Sequence, residues 1–189
     1  DIHKKIIRRM LMLILFGLIY NGLFQLNFAD LRCASVLARI GIAWAISAII
    51  FVHFGLRARI GIAVAILVGY GLLSVFVAAP DVPGGDPLSM EGCLVGYIDR
   101  LFMPGRLLYN SGCFDPEGLF SALRAVVTAM LGVFTGELVR NNKISGNKKT
   151  LWMLGSAVVL ALVAWAFDGV LPINKKLWSS TFVCAVGSY

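Results

Sequence analysis

The sequence predicts an all-α protein, a polytopic bundle of transmembrane helices. Of its 189 residues, 59% are hydrophobic and only 14% are charged, whereas a soluble domain is roughly half apolar and a quarter charged. Several apolar windows also reach the length of about 20 residues that a helix needs to cross a hydrocarbon core of about 30 Å. Together these two observations exclude an ordinary soluble domain.

Five windows are predicted to be full membrane spans, and a sixth is predicted to be truncated. The full spans are residues 8–27, 33–54, 60–79, 117–139 and 151–168, and the truncated one is 177–189. The sixth has about thirteen residues, which is too few to cross. The chain starts at Asp1, and the apolar run that follows is too long for a signal peptide. We therefore expect residues 1–189 to form a single transmembrane domain that is a piece of a longer polypeptide.

The basic residues predict how the helices are oriented. Ten of the seventeen Lys and Arg residues, and no acidic residue, lie in HKKIIRR at 3–9, LRAR at 56–59 and RNNKISGNKK at 140–149. By the positive-inside rule these loops are cytoplasmic, and so is the N-terminus of the chain. Most of the acidic residues fall in the opposite loops. The net charge of +7 is therefore explained by topology, and no nucleic-acid partner is predicted.

The one long segment outside the membrane is the predicted extracytoplasmic loop at 80–116. It opens with the turn residues PDVPGGDP. The later stretch GYIDRLFMPGRLLYN is typical of a short surface helix or a lid. Cys93 and Cys113 share this loop, and the sequence is compatible both with a disulfide and with two unpaired thiols. No Cys/His cluster has metal-ligand spacing, so no metal site is predicted.

The fourth predicted span carries a stripe of polar side chains. At 100° per residue these fall within an arc of about 60°; they are Glu117, Ser121, Arg124, Thr128 and Thr135. Facing lipid, Arg124 would cost at least about 2.5 kcal/mol, so the stripe is expected to face protein or water. Gly132 and Gly136 form a small-xxx-small pair beside it, which predicts close approach by another helix.

Two interpretations of the stripe are open. In the structural one, the Ser and Thr side chains bond to their own helix and Arg124 pairs with a neighbouring carboxylate. In the functional one, the stripe lines a passage or a site for a charged or polar ligand. Arg39 in the second span lies at a similar depth, so we expect Arg39 and Arg124 to face one shared cavity. Asp115 and Glu117 are their natural counter-ions.

Four stretches then resemble a known family. They are LRCASVLARIGIAWA at 31–45, GYIDRLFMPGRLLYN at 96–110, FDPEGLFSALRAVVTAMLGVFTGEL at 114–138 and LPINKKLWSSTFV at 171–183. In this order they resemble successive segments of the heparan-α-glucosaminide N-acetyltransferase family, including its bacterial members.

The resemblance implies a transmembrane acyltransferase. Such an enzyme moves an acetyl group from cytoplasmic acetyl-CoA to the amino group of a glucosamine-type sugar on the outer side, without a metal. The implied partners are an amino sugar and membrane lipid, with a homodimer left open, and the implied location is a bacterial inner membrane. Some family members are described as sugar transporters, so a permease for amino sugars or N-acetylated sugars is the alternative.

The resemblance also suggests which residues bind substrate. Together with Arg124 from the polar stripe, the candidates are Arg39, Asp99, Arg100, Asp115, Glu117, Asn174 and Lys175. The family's catalytic histidine lies in an earlier segment that no part of this chain resembles. His3 and His53 are predicted to be interface or packing residues. No catalytic residue is therefore assigned, and the chain alone is expected to be inactive.

Overall fold

The computed structural model describes residues 1–189 and contains seven α-helices and no β-sheet. The helices are α1 Ile2–Tyr20, α2 Val36–His53, α3 Leu56–Phe76, α4 Leu94–Phe102, α5 Ala122–Arg140, α6 Gly146–Phe167 and α7 Ser180–Gly187. Two short 3₁₀ turns, Leu23–Gln25 and Asn110–Gly112, lie in the connections. The predicted all-helical class is confirmed.

Four helices, α2, α3, α5 and α6, are long and apolar enough to cross a membrane. The predicted count of five full spans and a truncated sixth is not supported. Helix α1 is 19 residues long but includes four Lys and Arg residues near its start, and it ends at Tyr20, just before Gly22 adopts a φ of 100°. The predicted span 8–27 therefore runs across a turn. Helix α7 has eight residues.

Helix α5 is the centre of the bundle, because it packs against α2, α3, α6 and α7. Its residues Val126 and Val127 are fully buried, and with Met130 they pack among apolar side chains of α2, α3 and α7. Helix α1 lies against α2. Helix α6 buries only Ala164, so its apolar surface remains for lipid.

The 77–121 segment between α3 and α5 is folded onto one end of the bundle, called here the loop end. It contains α4, in line with the short surface helix predicted for this stretch. Its chain is held by isolated β-bridges, which join Arg32 to Gly105 and Ala78 to Cys93. Gly105 has a φ of 82°, and a Cβ there would overlap the carbonyl oxygen of Leu31. Glycine is therefore required where the loop meets the segment before α2.

Candidate functional site

Four charged side chains meet where the loop end joins α2 and α5, and we call them the four-charge cluster: Arg32, Arg39, Asp115 and Glu117. Arg32 binds Asp115 in a bidentate pair, with Nε 2.8 Å from Oδ2 and Nη2 2.7 Å from Oδ1. Arg32 also donates to Glu117, and Nη2 of Arg39 lies 3.8 Å from Oε1 of Glu117. Two cations thus face two anions, so the cluster is neutral.

Burial distinguishes the two acids of the cluster. The Asp115 side chain is fully buried, whereas that of Glu117 is 15% exposed. Hydrogen bonding with Asp115 raises the pKa of the Arg32 guanidinium. Asp115 is therefore committed to its bidentate partner. Glu117 is the acid of the cluster that a ligand could reach.

A tight turn places both acids. The Glu117 amide donates to Oδ1 of Asp115 over 3.0 Å, and Nη1 of Arg39 donates to the Pro116 carbonyl over 3.1 Å. The Ser121 hydroxyl donates to the carbonyls of Pro116 and Gly118. Because α5 begins only at Ala122, Glu117 and Ser121 lie in this turn and not on a helix. Of the predicted five-residue stripe, only Arg124, Thr128 and Thr135 lie on a helix, and Thr135 is exposed.

Arg124 is enclosed without an acidic partner. It is 1% exposed, and Nη2 donates to the Tyr70 hydroxyl over 2.6 Å and to the Leu177 carbonyl. Its guanidinium carbon lies 3.4 Å from the centre of the Tyr70 ring, and its Nε has no acceptor. Thr128 and Thr135 donate to carbonyls of their own helix. The threonines therefore follow the structural interpretation, whereas the carboxylate partner that it required for Arg124 is missing.

Arg39 and Arg124 do not face one cavity, so that expectation was wrong. A cavity of about 30 Å³ is lined by Arg124, Asn174, Cys93 and other residues of α3, α4 and the segment before α7, but not by Arg39. The Arg39 guanidinium instead lies 4.0 Å from the centre of the Trp178 ring. The two cations contact neighbouring residues, Leu177 and Trp178, of a single segment, and that segment occupies the space that a shared cavity would need.

Asp99 supports the turn from α4. It is fully buried, its Oδ1 accepts from the Leu119 amide over 2.9 Å, and its Oδ2 has no partner. A Cβ at Gly118 would overlap this carboxylate, so only glycine fits there. Burial raises the pKa of Asp99 to about 7. The Asp99 carboxyl group, directly behind the turn that carries Glu117, therefore changes its protonation state near neutral pH.

Arg100 has a different partner. Its Nε and Nη2 each lie 2.8 Å from an oxygen of Asp81, and Nη1 donates to the Cys113 carbonyl. The hydrogen bonds with Asp81 raise the pKa of Arg100. Arg100 therefore ties α4 to both ends of the loop and lies outside the four-charge cluster.

Asn174 and Lys175, the last two predicted site residues, lie in the segment before α7. The Asn174 side-chain oxygen accepts from the amides of Lys176 and Leu177 over 2.9 and 3.2 Å, so it closes a turn while the residue lines the Arg124 cavity. Lys175 is exposed. The neighbouring Lys176 is the lysine in contact, with Nζ 4.7 Å from the centre of the Tyr109 ring.

Sequence reasoning missed the most important partners. Arg32 is not among the predicted site residues, although it belongs to the same motif as Arg39 and lies in the segment just before α2. Tyr70 is a phenol in an apolar span, and this was the available signal for a buried polar contact. The ion pair between Arg59 and Glu137, with 2.8 Å between Nη1 and Oε2, joins α3 and α5 at the end of the bundle away from the loop. A cation near the start of one span and an acid near the end of another signalled that pair.

No family model matches the chain. Human heparan-alpha-glucosaminide N-acetyltransferase is 27% identical over 137 residues, which cover 64% of this chain and 20% of the human protein. The mouse protein of the same name is 29% identical over 114 residues, covering 52% of this chain and 17% of the mouse protein. The chain is related to these enzymes over part of its length. It matches about a fifth of each relative.

The part of the chain that is related to the heparan-α-glucosaminide N-acetyltransferases includes the acidic residues of the candidate site. A continuous match over 64% of a 189-residue chain must contain the middle of that chain. The middle is the loop end, with Asp99 and the turn that carries Asp115 and Glu117. The family predicted from four motifs is thereby confirmed as a partial relationship.

Proposed function

We propose that this chain is the part of a transmembrane acetyltransferase that holds an amino sugar, with acetyl-CoA as the acyl donor. The observation that carries the proposal is the four-charge cluster, in which Glu117 is partly exposed while Asp115 is fully buried between the loop and α2. The partial relationship to N-acetyltransferases supports the same chemistry.

In this proposal Glu117 binds the sugar. An ammonium group or a sugar hydroxyl would bind its carboxylate in place of the Arg32 hydrogen bond or the longer Arg39 ion pair. A bound ammonium must lose a proton before its nitrogen can attack a thioester, so a general base is required. The two histidines of this chain stack on each other, with ring centres 5.1 Å apart, at the ends of α1 and α2 away from the loop. We therefore assign binding to the cluster and leave proton transfer to a group outside it.

Arg124 and Asn174 have a supporting part in this proposal. A cavity of about 30 Å³ can hold a water molecule but no sugar ring. Arg124 instead donates to the Leu177 carbonyl. The next residue is Trp178, and Arg39 lies over its ring. Lys175 is exposed and Arg100 braces the loop through Asp81, so neither is assigned to the proposed contact. Glu117 remains the central binding residue, with Arg39 beside it, and the buried Asp115 and Asp99 hold in place the turn that carries it.

The proposed orientation places the loop end outside and the N-terminus of the chain in the cytoplasm of a bacterial cell, with the helices in the inner membrane. Its support is the distribution of basic residues along the sequence. Acetyl-CoA would then approach the basic end of the bundle, where Arg59 lies. Transfer to an amine held at the four-charge cluster would break the thioester, form the amide and release coenzyme A to the cytoplasm, so the acyl arm must reach through the bundle from the basic end.

The test is an assay of the full-length protein, purified and reconstituted in lipid vesicles. It is given acetyl-CoA labelled in the acetyl group together with glucosamine that carries a different label, without an ion gradient. Labelled N-acetylglucosamine is the expected product. Uptake of labelled glucosamine into the vesicles with no acetylated product would overturn the proposal and identify a permease.

A further inference from the structure

The loop end brings together two cysteines that are 20 positions apart in sequence. The Cys93 and Cys113 thiols both point at the Met90 carbonyl oxygen, with Sγ–O distances of 3.5 and 3.9 Å. Because both sulfur atoms lie within 4 Å of one oxygen, they are neighbours in space, and both are free thiols in this structure. Cys33 and Cys184, the other two cysteines, make no such contact with this oxygen.

Two further contacts hold the Cys113 backbone against the start of α4. Cys93 is the N-cap of this helix, and its Sγ accepts from the Gly96 amide over 3.3 Å. A Cβ at Gly96 would lie 2.7 Å from the Cys113 carbonyl oxygen, and Arg100 donates to that same oxygen. The residue at 96 must therefore be glycine for Cys113 to lie here. The two cysteines are thus positioned by contacts that do not depend on a bond between them.

We propose that Cys93 and Cys113 form a disulfide that closes the loop end. The step removes one hydrogen from each thiol and forms one sulfur–sulfur bond. The oxidant is a protein or small-molecule disulfide, which is cleaved to two thiols as it accepts the two electrons and two protons. The proposal rests on the proposed outward orientation of this loop, because such bonds persist in oxidising compartments.

The surroundings of the pair fit a permanent bond better than a switch. Cys93 is 2% exposed, and burial raises the pKa of both thiols. At neutral pH both are protonated and react slowly, so an oxidant would act on them during folding, before they are enclosed. Once formed, the bond would be sheltered from reductants at Cys93, whereas Cys113 is half-buried.

The first test is peptide mapping of the full-length protein isolated from intact cells, with free thiols blocked before lysis. Arg100 and Arg106 lie between the two cysteines, so trypsin separates them unless they are bridged. We expect a linked pair of peptides that is lost on reduction. Recovery of both cysteines carrying the blocking group, without reduction, would overturn the proposal.

Matched variants separate the bond from packing effects. Serine is a favoured N-cap residue, so Cys93→Ser preserves the acceptor for the Gly96 amide while removing the bridge. Cys93→Ser and Cys113→Ser should each abolish the linked pair and lower the unfolding temperature by several degrees, and reduction of the wild type should do the same. Cys184→Ser is the control, and the linked pair should persist in it.

The outcome is independent of the acetyl-transfer assay. A blocked, unlinked pair in a protein that acetylates glucosamine would reject the disulfide alone. A linked pair in a protein that makes no product would reject the proposed function alone.

Discussion

Arg32 and Arg124 are both enclosed near the loop end, but their partners predict different responses to removal. Arg32→Met leaves the fully buried Asp115 without its cation, and stranding a buried charge costs about 3–5 kcal/mol. Arg124→Met strands no charge and removes a cation that has no salt bridge. We therefore expect Arg32→Met to lower the unfolding temperature of the purified protein much more than Arg124→Met does. The reverse order in a thermal unfolding series would show that Arg124 is the principal structural cation.

Asp99 predicts a pH-dependent stability. Its pKa is about 7 in the folded protein against an ordinary value of 3.8, so between these values the folded state holds a proton that the unfolded state has lost. Stability is therefore greatest below about pH 4 and falls as the pH rises to about 7, as far as this group is concerned. Thermal unfolding across this range should show the decline, and Asp99→Asn should flatten it. An unchanged slope in Asp99→Asn would assign the pH dependence to another group.

Glu117 provides the sharpest test of the binding proposal. Glu117→Gln keeps the size of the side chain but removes the charge that would attract an amino sugar. We expect the KM for glucosamine to rise about tenfold or more with a small change in kcat, because about 1.4 kcal/mol of binding corresponds to a factor of ten. The control is Glu91→Gln, an exposed acid of the same loop. Equal effects of the two variants on KM would contradict a specific role for Glu117.

At the scale of helices, the glycines that permit close packing differ from those that the sequence suggested. A Cβ at Gly132 or Gly136 would meet nothing within 4 Å, whereas a Cβ at Gly41 would lie 3.0 Å from Cβ of Leu13 in α1. The small-xxx-small spacing in α5 is therefore not used as predicted. The contact between α1 and α2 depends on two glycines, Gly41 of α2 and Gly17 of α1, where a Cβ would overlap the hydroxyl oxygen of Ser35 at the start of α2; spacing alone could not reveal either.

This difference predicts opposite effects of alanine. Gly41→Ala should lower the unfolding temperature, because α1 and α2 must move apart to accommodate the methyl group. Gly132→Ala should leave the temperature unchanged or raise it, because alanine favours a helix by about 1 kcal/mol over glycine. Circular dichroism during heating measures both. A loss of stability in Gly132→Ala equal to that in Gly41→Ala would mean that another surface packs on α5.

Element boundaries show where sequence reasoning succeeded and failed. The cores of α2, α3, α5 and α6 were recognised because each is a long apolar run. The predicted start of the fourth span at 117 was wrong by five residues, because Pro116, Gly118 and the Asp115 side chain form a turn that hydropathy does not detect. Helix α1 was misjudged for a related reason. Its apolar run extends past Tyr20, but the backbone does not remain helical there.

At the scale of the whole molecule, ion pairs anchor α5 near both of its ends. The turn just before it is held by Arg32 and Arg39, and Glu137 in its last turns is held by Arg59 of α3. The sequence supplied most of these charges as candidates, but it could not say which cation meets which acid. That choice depends on how the helices pack, and local patterns do not contain it.

The proposed orientation of the bundle can be tested directly. In a background in which the other cysteines are serine, Asp86→Cys should react with a membrane-impermeant maleimide added to intact cells, because this position is assigned to the outside. Lys148→Cys should react only after the membrane is opened. Labelling in the opposite order would invert the topology and place the four-charge cluster in the cytoplasm.

The ion pairs at both ends of α5 limit how a substrate could enter the proposed site. Moving α5 along its axis would break an ion pair at one of its ends, so we do not expect this helix to slide. The 77–121 segment carries Asp115 and Glu117, so lifting all of it would break the same ion pairs with Arg32 and Arg39. We therefore expect a substrate to enter by local movement beside the partly exposed Glu117, while the end of the segment next to α5 stays fixed and a bond between positions 93 and 113 restricts the rest.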